Sequence, residues 1–171
     1  MNRPVDHTIE QFASACHAIL KKENNPAGRS KVCALLQEYL KDEQFVSTYV
    51  TDETPERKVL YEDPELGFCI LAHHYHGAKE SSPHDHGPYW AIYGQARGET
   101  EMSDYALVEA AGPDKTGKAR VTRTYKLTPG VAHVYNEGDL HSPKRVSSTK
   151  LIRIEGRNME KVKRYKFEMV R

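Results

Sequence analysis

The sequence predicts an all-β domain, a sandwich or closed barrel, that carries a helical extension at its N-terminus. Two observations predict it. Residues 1–50 repeat their apolar side chains at helical spacing, whereas from Val59 onward short apolar runs are separated by turn residues. A chain of 171 residues suits one domain, 1–171, with the extension over 1–50 and the barrel over 58–171. That length buries a substantial core without disulfides.

In the extension, Thr8 with Gln11 makes a capping-box start, after which Ile9, Phe12, Cys16, Ile19 and Leu20 fall on one face. The run Asn24-Asn25-Pro26-Ala27-Gly28 breaks this helix. Ser30 is placed to cap a second one, on which Val32, Leu35, Leu36, Tyr39 and Leu40 repeat, and 42–50 adds a short third. These stripes are packing faces, suited to covering one side or the open end of a barrel. The barrel strands are expected at 59–61, 68–75, 99–109, 121–127, 131–135 and 150–155, with a polar hairpin at 111–117. The charge-rich tail 158–171 interleaves Val162, Tyr165, Phe167 and Met169 and reads as a last strand along the sheet.

Composition narrows the function. Twenty-five basic residues against twenty-four acidic ones leave no basic block, so a nucleic-acid partner is not expected. There is no apolar run of about 18 residues to span a membrane. Residues 1–6 lack the apolar core of a leader, and the cytoplasm is the expected location. Cys16, Cys33 and Cys69 are scattered and odd in number, as reduced thiols would be.

The chemistry concentrates in 81–98. If this run is extended, His84 and His86 point to one space while Asp85 points away. Two imidazoles begin a coordination shell for Fe, Ni, Cu or Zn, and a further ligand must come from elsewhere. His141, in Gly138-Asp139-Leu140-His141, is the leading donor. His133, in Gly130-Val131-Ala132-His133, is its rival. His73, His74 and His76 form a second cluster, able to hold another ion or to place a proton donor at the site. Arg97 and Arg153 are candidates to meet a substrate carboxylate. Tyr89, Trp90 and Tyr93 are candidates for the cavity wall, with an outward-packing position the alternative for Tyr93.

The run Gly77, His84-x-His86, Ala91, Gly98 resembles the first cupin motif, and Gly138-x-x-His141 resembles part of the second. The resemblance covers roughly 60–156. It implies a double-stranded β-helix, or jelly-roll barrel, and pairing into a homodimer through edge strands. Most cupins place a glutamate ligand where this chain has Ala91, so the likeness is to the three-histidine branch, the cysteine and 3-mercaptopropionate dioxygenases. It implies metal ligands His84, His86 and His141 around Fe(II), with Ni, Mn and Zn as alternatives. Positions left open by three histidines would suit a bidentate substrate and dioxygen. The implied activity is a dioxygenase of a small polar molecule, thiols included. A metal-dependent isomerase or lyase and a non-catalytic small-molecule-binding module are the other readings. The chain departs from the thiol dioxygenases in two places. Ala91 stands where the cysteine of their cysteine–tyrosine crosslink would fall, and Arg153 and Glu155 stand where the histidine and tyrosine of their relay are expected. Tyr93, Arg153 and Glu155 are therefore the candidate catalytic residues.

Overall fold

The computed structural model describes residues 7–171, so the reading of 1–6 as leaderless lies outside the described residues. Helix α1, Ile9–Lys22, starts as expected: the Thr8 hydroxyl accepts from the Gln11 N–H at 3.1 Å while the Gln11 side chain accepts from the Thr8 N–H. Helix α2, Pro26–Leu40, begins upstream of Ser30 and corrects the expected cap. Asn25 caps it, accepting from the Gly28 N–H at 2.9 Å, and Pro26 opens the helix, where its missing N–H costs nothing. A short α3, Glu43–Tyr49, is capped by Asp42.

Ten strands follow. They are β1 Lys58–Glu62, β2 Cys69–Tyr75, β3 Lys79–Glu80, β4 Ala91–Arg97, β5 Thr100–Glu109, β6 Gly117–Leu127, β7 Ala132–Tyr135, β8 Leu140–Arg145, β9 Thr149–Glu155 and β10 Phe167–Met169. One sheet runs β1-β2-β9-β4-β7 and the other β10-β6-β5-β8-β3. The chain crosses repeatedly from one sheet to the other between β2 and β9. This winding is a double-stranded β-helix. Every pairing is antiparallel except β10 on β6, where the tail adds a parallel edge. A 3-10 turn, Met159–Lys161, precedes that edge. Strand β8 is an addition to the expected set, and it carries His141.

The helices cover the outer face of the first sheet. Phe12, Leu36 and Val46 share one buried cluster with Ile70, Ala72, Ile92, Ile152 and Ile154. Alternate residues turn the other way, so that Ala91, Tyr93 and Tyr135 meet Met102 and Leu127 between the sheets. With both faces covered, β2 is buried along its whole length and reads as a run of buried residues rather than an alternation. Gly94 permits the closest approach. A Cβ there would lie 2.8 Å from a Leu36 methyl and from the Ile152 carbonyl oxygen, so any side chain would push α2 off the sheet. Among the described residues, no helix is long and apolar enough to cross a membrane. Cys16, Cys33 and Cys69 are buried and free, and burial pushes the Cys33 and Cys69 thiols up to about 11.

Candidate metal centre

His84 and His86 do not share a regular strand, which corrects the extended-run expectation. Pro83 and Pro88 lack the N–H groups a ladder needs, and the segment pairs only once. At that point His84 and His141 exchange both backbone hydrogen bonds, each 2.9 Å long. This bridge joins the loop before β4 to β8 and sets two ligands side by side. His86 lies in the following turn, where its carbonyl accepts from the Tyr89 N–H at 3.1 Å.

The three rings converge. One nitrogen from each of His84, His86 and His141 lies within 4.8 Å of the others, and the Nε2 atoms of His86 and His141 are 3.2 Å apart. His84 Nδ1 lies 3.0 Å from the Ser82 carbonyl oxygen and His141 Nδ1 lies 2.9 Å from that of Asp139. A carbonyl only accepts, so these Nδ1 atoms carry the protons and the Nε2 lone pairs face the centre. Nδ1 of His86 has no hydrogen-bond partner, so its ring is free to carry the proton there and present its Nε2 lone pair to the same point, where a cation would be held by all three rings. The donor set therefore fits a divalent metal ion. Burial also keeps the rings neutral, the state a ligand needs: it holds His84 down at about 4, and His86 and His141 well below the usual histidine range. The turn before His141 is built for its place. Gly138 takes φ +80°, and the Asp139 side chain accepts from the Asn136 N–H at 2.8 Å.

Tyr93 points inward. Residues two apart on a strand share a face, so Tyr93 goes with Ala91 into the space between the sheets, which corrects the outward alternative. Its hydroxyl lies 3.2 Å from Nε2 of both His86 and His141. Arg153, its cross-strand partner, spreads its guanidinium over the Tyr93 ring. Glu155 faces Ala91 across β4 and β9 but does not reach the histidines. Both its oxygens are held by Arg57, at 3.0 and 2.9 Å, and one accepts from the Met159 N–H. Burial would raise its carboxyl, but the hydrogen bonds from Arg57 and the Met159 N–H, together with the charges of Arg153 and Arg57, hold it below the usual range.

The other candidates lie apart. His133 stacks between Tyr125 and Tyr135, with Arg123 3.4 Å from its Nε2, outside the ligand cluster. His73 and His74 turn their Nδ1 atoms to the carbonyls of Glu56 and Asp52. His74 and His76 are in ring contact, yet the only group of three or more possible ligands among the described residues is His84, His86 and His141. Arg97 pairs with Glu43 at the surface. Trp90 belongs to the helix-side cluster, under the Arg29 guanidinium, rather than to the cavity wall.

A cavity of about 630 Å³ opens onto His84, His86 and Tyr93. Arg145 lines it and is absent from the expected site. It is 3% exposed, lies 4.3 Å over the Tyr75 ring, and leaves Nε and Nη2 without hydrogen-bond partners. The signal was alternation, since His141, Pro143 and Arg145 share one face of β8.

Fold and site together define a double-stranded β-helix domain with a three-histidine site. No family model matches the chain, and no curated protein matches it. Among solved structures, it is similar to a cupin-2 domain protein of Shewanella frigidimarina, with 16% identity, a TM-score of 0.42, and 60% of this chain and 81% of that one covered. A conserved double-stranded β-helix protein of Klebsiella pneumoniae aligns at 18% identity and a TM-score of 0.43, covering 64% and 84%. KdgF from a Halomonas species aligns at 17% identity and 0.44, covering 62% and 82%.

Proposed function

We propose that the protein is an iron(II)-dependent dioxygenase of a small anionic molecule, with thiols among its candidate substrates. The observation that carries this reading is the convergence of three neutral imidazoles, without a carboxylate among them, two of which line a cavity that arginines also line. Neutral ligands leave the charge of a dication uncompensated, and a three-ligand set leaves positions for reactants. When bound, iron(II) would supply the site where substrate and dioxygen meet.

The chain's own residues do the rest. Burial raises the Tyr93 hydroxyl, so the phenol keeps its proton and can donate it, at its oxygen, to a group bound beside His86 and His141. Position 155 offers no tyrosine, and Tyr93 on the neighbouring strand is the phenol at hand. Arg153 braces that ring from above. Arg145 gives the substrate's acid group a buried cation to bind. Glu155 holds Arg57 in the wall rather than transferring protons.

The test is to measure metal content in protein purified without added metal, then oxygen uptake by the anaerobically iron-loaded protein with a panel of thiol carboxylates. Substrate-dependent uptake supports the reading. Turnover without oxygen, supported equally by zinc, nickel or manganese, would replace it with an isomerase or lyase.

A further inference from the structure

The cavity has more positive charge than one acid group can use. Arg57, Lys79, Arg145, Arg153, Arg164 and Lys166 line it, against Glu155 and Glu160. Both acids are bound by Arg57, and Lys79 is taken by Glu56 outside the cavity. Arg153 shares Glu155 at 3.6 Å. That leaves Arg145, Arg164 and Lys166 without a carboxylate partner among the described residues. These three fall into two places, Arg145 buried on β8 and the other two exposed on the tail segment 162–166.

We propose that the ligand of this cavity is a dianion whose acid groups are separated along its length, one bound by Arg145 inside and the other by Arg164 and Lys166 at the rim. The proposal rests on the reading of the cavity as the substrate site and names the class of substrate. An unpaired guanidinium with almost no solvent contact is the first argument. Among the described residues no carboxylate pairs with Arg145, and burial pushes it down to about 10, still charged at neutral pH. The second argument is that the rim cations are placed rather than trailing. The 3-10 turn before them is anchored by the Met159 N–H on Glu155, and after them the Lys166 carbonyl accepts from the Gly117 N–H at 2.9 Å as β10 begins. Arg164 also donates to the Asp85 carbonyl, between the two ligands of the loop. The third is room. A cavity of about 630 Å³ lies in the range of ordinary small-molecule sites and exceeds what a single short acid would fill.

The experiment compares succinate, propionate and inorganic phosphate as probes of the metal-free full chain, by calorimetric titration at low salt. Succinate is expected to bind at least about tenfold more tightly than propionate, which is about 1.4 kcal/mol. Arg145→Met should abolish binding of both, while the double change Arg164→Ser with Lys166→Ser should bring succinate down to the level of propionate. The surface double variant leaves the core untouched, so it reads the rim even if Arg145→Met lowers stability. Equal binding of succinate and propionate overturns the proposal, as does phosphate binding more tightly than either, or succinate binding unchanged in Arg145→Met. Because no metal is present, a preference for succinate stands even where the iron-loaded protein takes up no oxygen, and that pair of results would sink the dioxygenase alone.

Discussion

Tyr93 and Arg153 face each other across β4 and β9, and the guanidinium carbon of Arg153 lies 4.1 Å from the centre of the Tyr93 ring. A cation over a buried aromatic face contributes about 2 kcal/mol when desolvated, and here it fixes a phenol whose oxygen touches two ligand nitrogens. Tyr93→Phe keeps the ring under Arg153 and removes only the hydroxyl. The expected result is a folded protein with unchanged metal content whose oxygen uptake falls by about 10²-fold, the range for a lost proton donor. Metal analysis beside steady-state uptake checks it, and loss of metal in the variant would make Tyr93 a ligand instead.

His141 and His133 were rival donors, and their surroundings now separate them. His141 is fully buried, with its Nδ1 tied to Asp139 and its Nε2 at the centre. His133 is packed between two tyrosines beside an exposed arginine. His141→Ala should bring metal content close to zero, and His133→Ala should leave it at the wild-type level. Elemental analysis of the two variants decides, and metal loss in His133→Ala alone would reverse the assignment.

The helical extension reaches the site through Arg29. This side chain is 4% exposed, donates to Asn136 at 3.1 Å and to Glu137, and lies over Trp90. Asn136 and Asp139 form the turn whose last carbonyl orients His141. Arg29→Met is expected to lower stability by about 2–3 kcal/mol, from hydrogen bonds of a charged group lost in a buried place. It should also weaken metal binding by about tenfold, as changes to groups that orient a ligand do. Chemical denaturation and a competitive metal titration measure the two effects. Reduced stability with unaltered metal affinity would confine Arg29 to packing.

What could be read from the sequence was what is local. The Thr8 and Gln11 box is a three-residue signal and forms as read. The cap at Asn25 is hidden because Pro26 resembles a break, although proline is at ease in a first helical turn. The spacing of His84 and His86 pointed to a metal pair, but their geometry comes from a single bridge to His141, 57 positions beyond the first in sequence. Tyr93 could have been turned inward by counting two from Ala91. Arg145 was harder, since Pro143 disguises β8 as a loop and hides the alternation that starts at His141. The Arg57 and Glu155 pair joins residues 98 apart, which no periodicity encodes.

The same burial that readies the ligands makes the metal-free protein sensitive to acid. In the unfolded chain a histidine takes up its proton near pH 6.5, whereas His84 in the fold does so only at about 4, and His86 and His141 are also shifted well down. Between those values the unfolded state binds more protons than the native one, so stability rises with pH through the window and is lost as pH falls from 6.5 towards 4. For His84 this amounts to about 1–3 kcal/mol by pH 4.5, and His73, shifted the same way by burial, adds to it. The melting temperature of metal-free protein should therefore be level above pH 7.5 and decline steadily below 6.5, with a shallower decline in His84→Gln. Protons compete with metal only where these imidazoles titrate, so metal-loaded protein should keep its ion down to about pH 5. An exposed histidine set would release it at higher pH, and release near pH 6.5 would mean that the rings at the centre are solvated rather than buried.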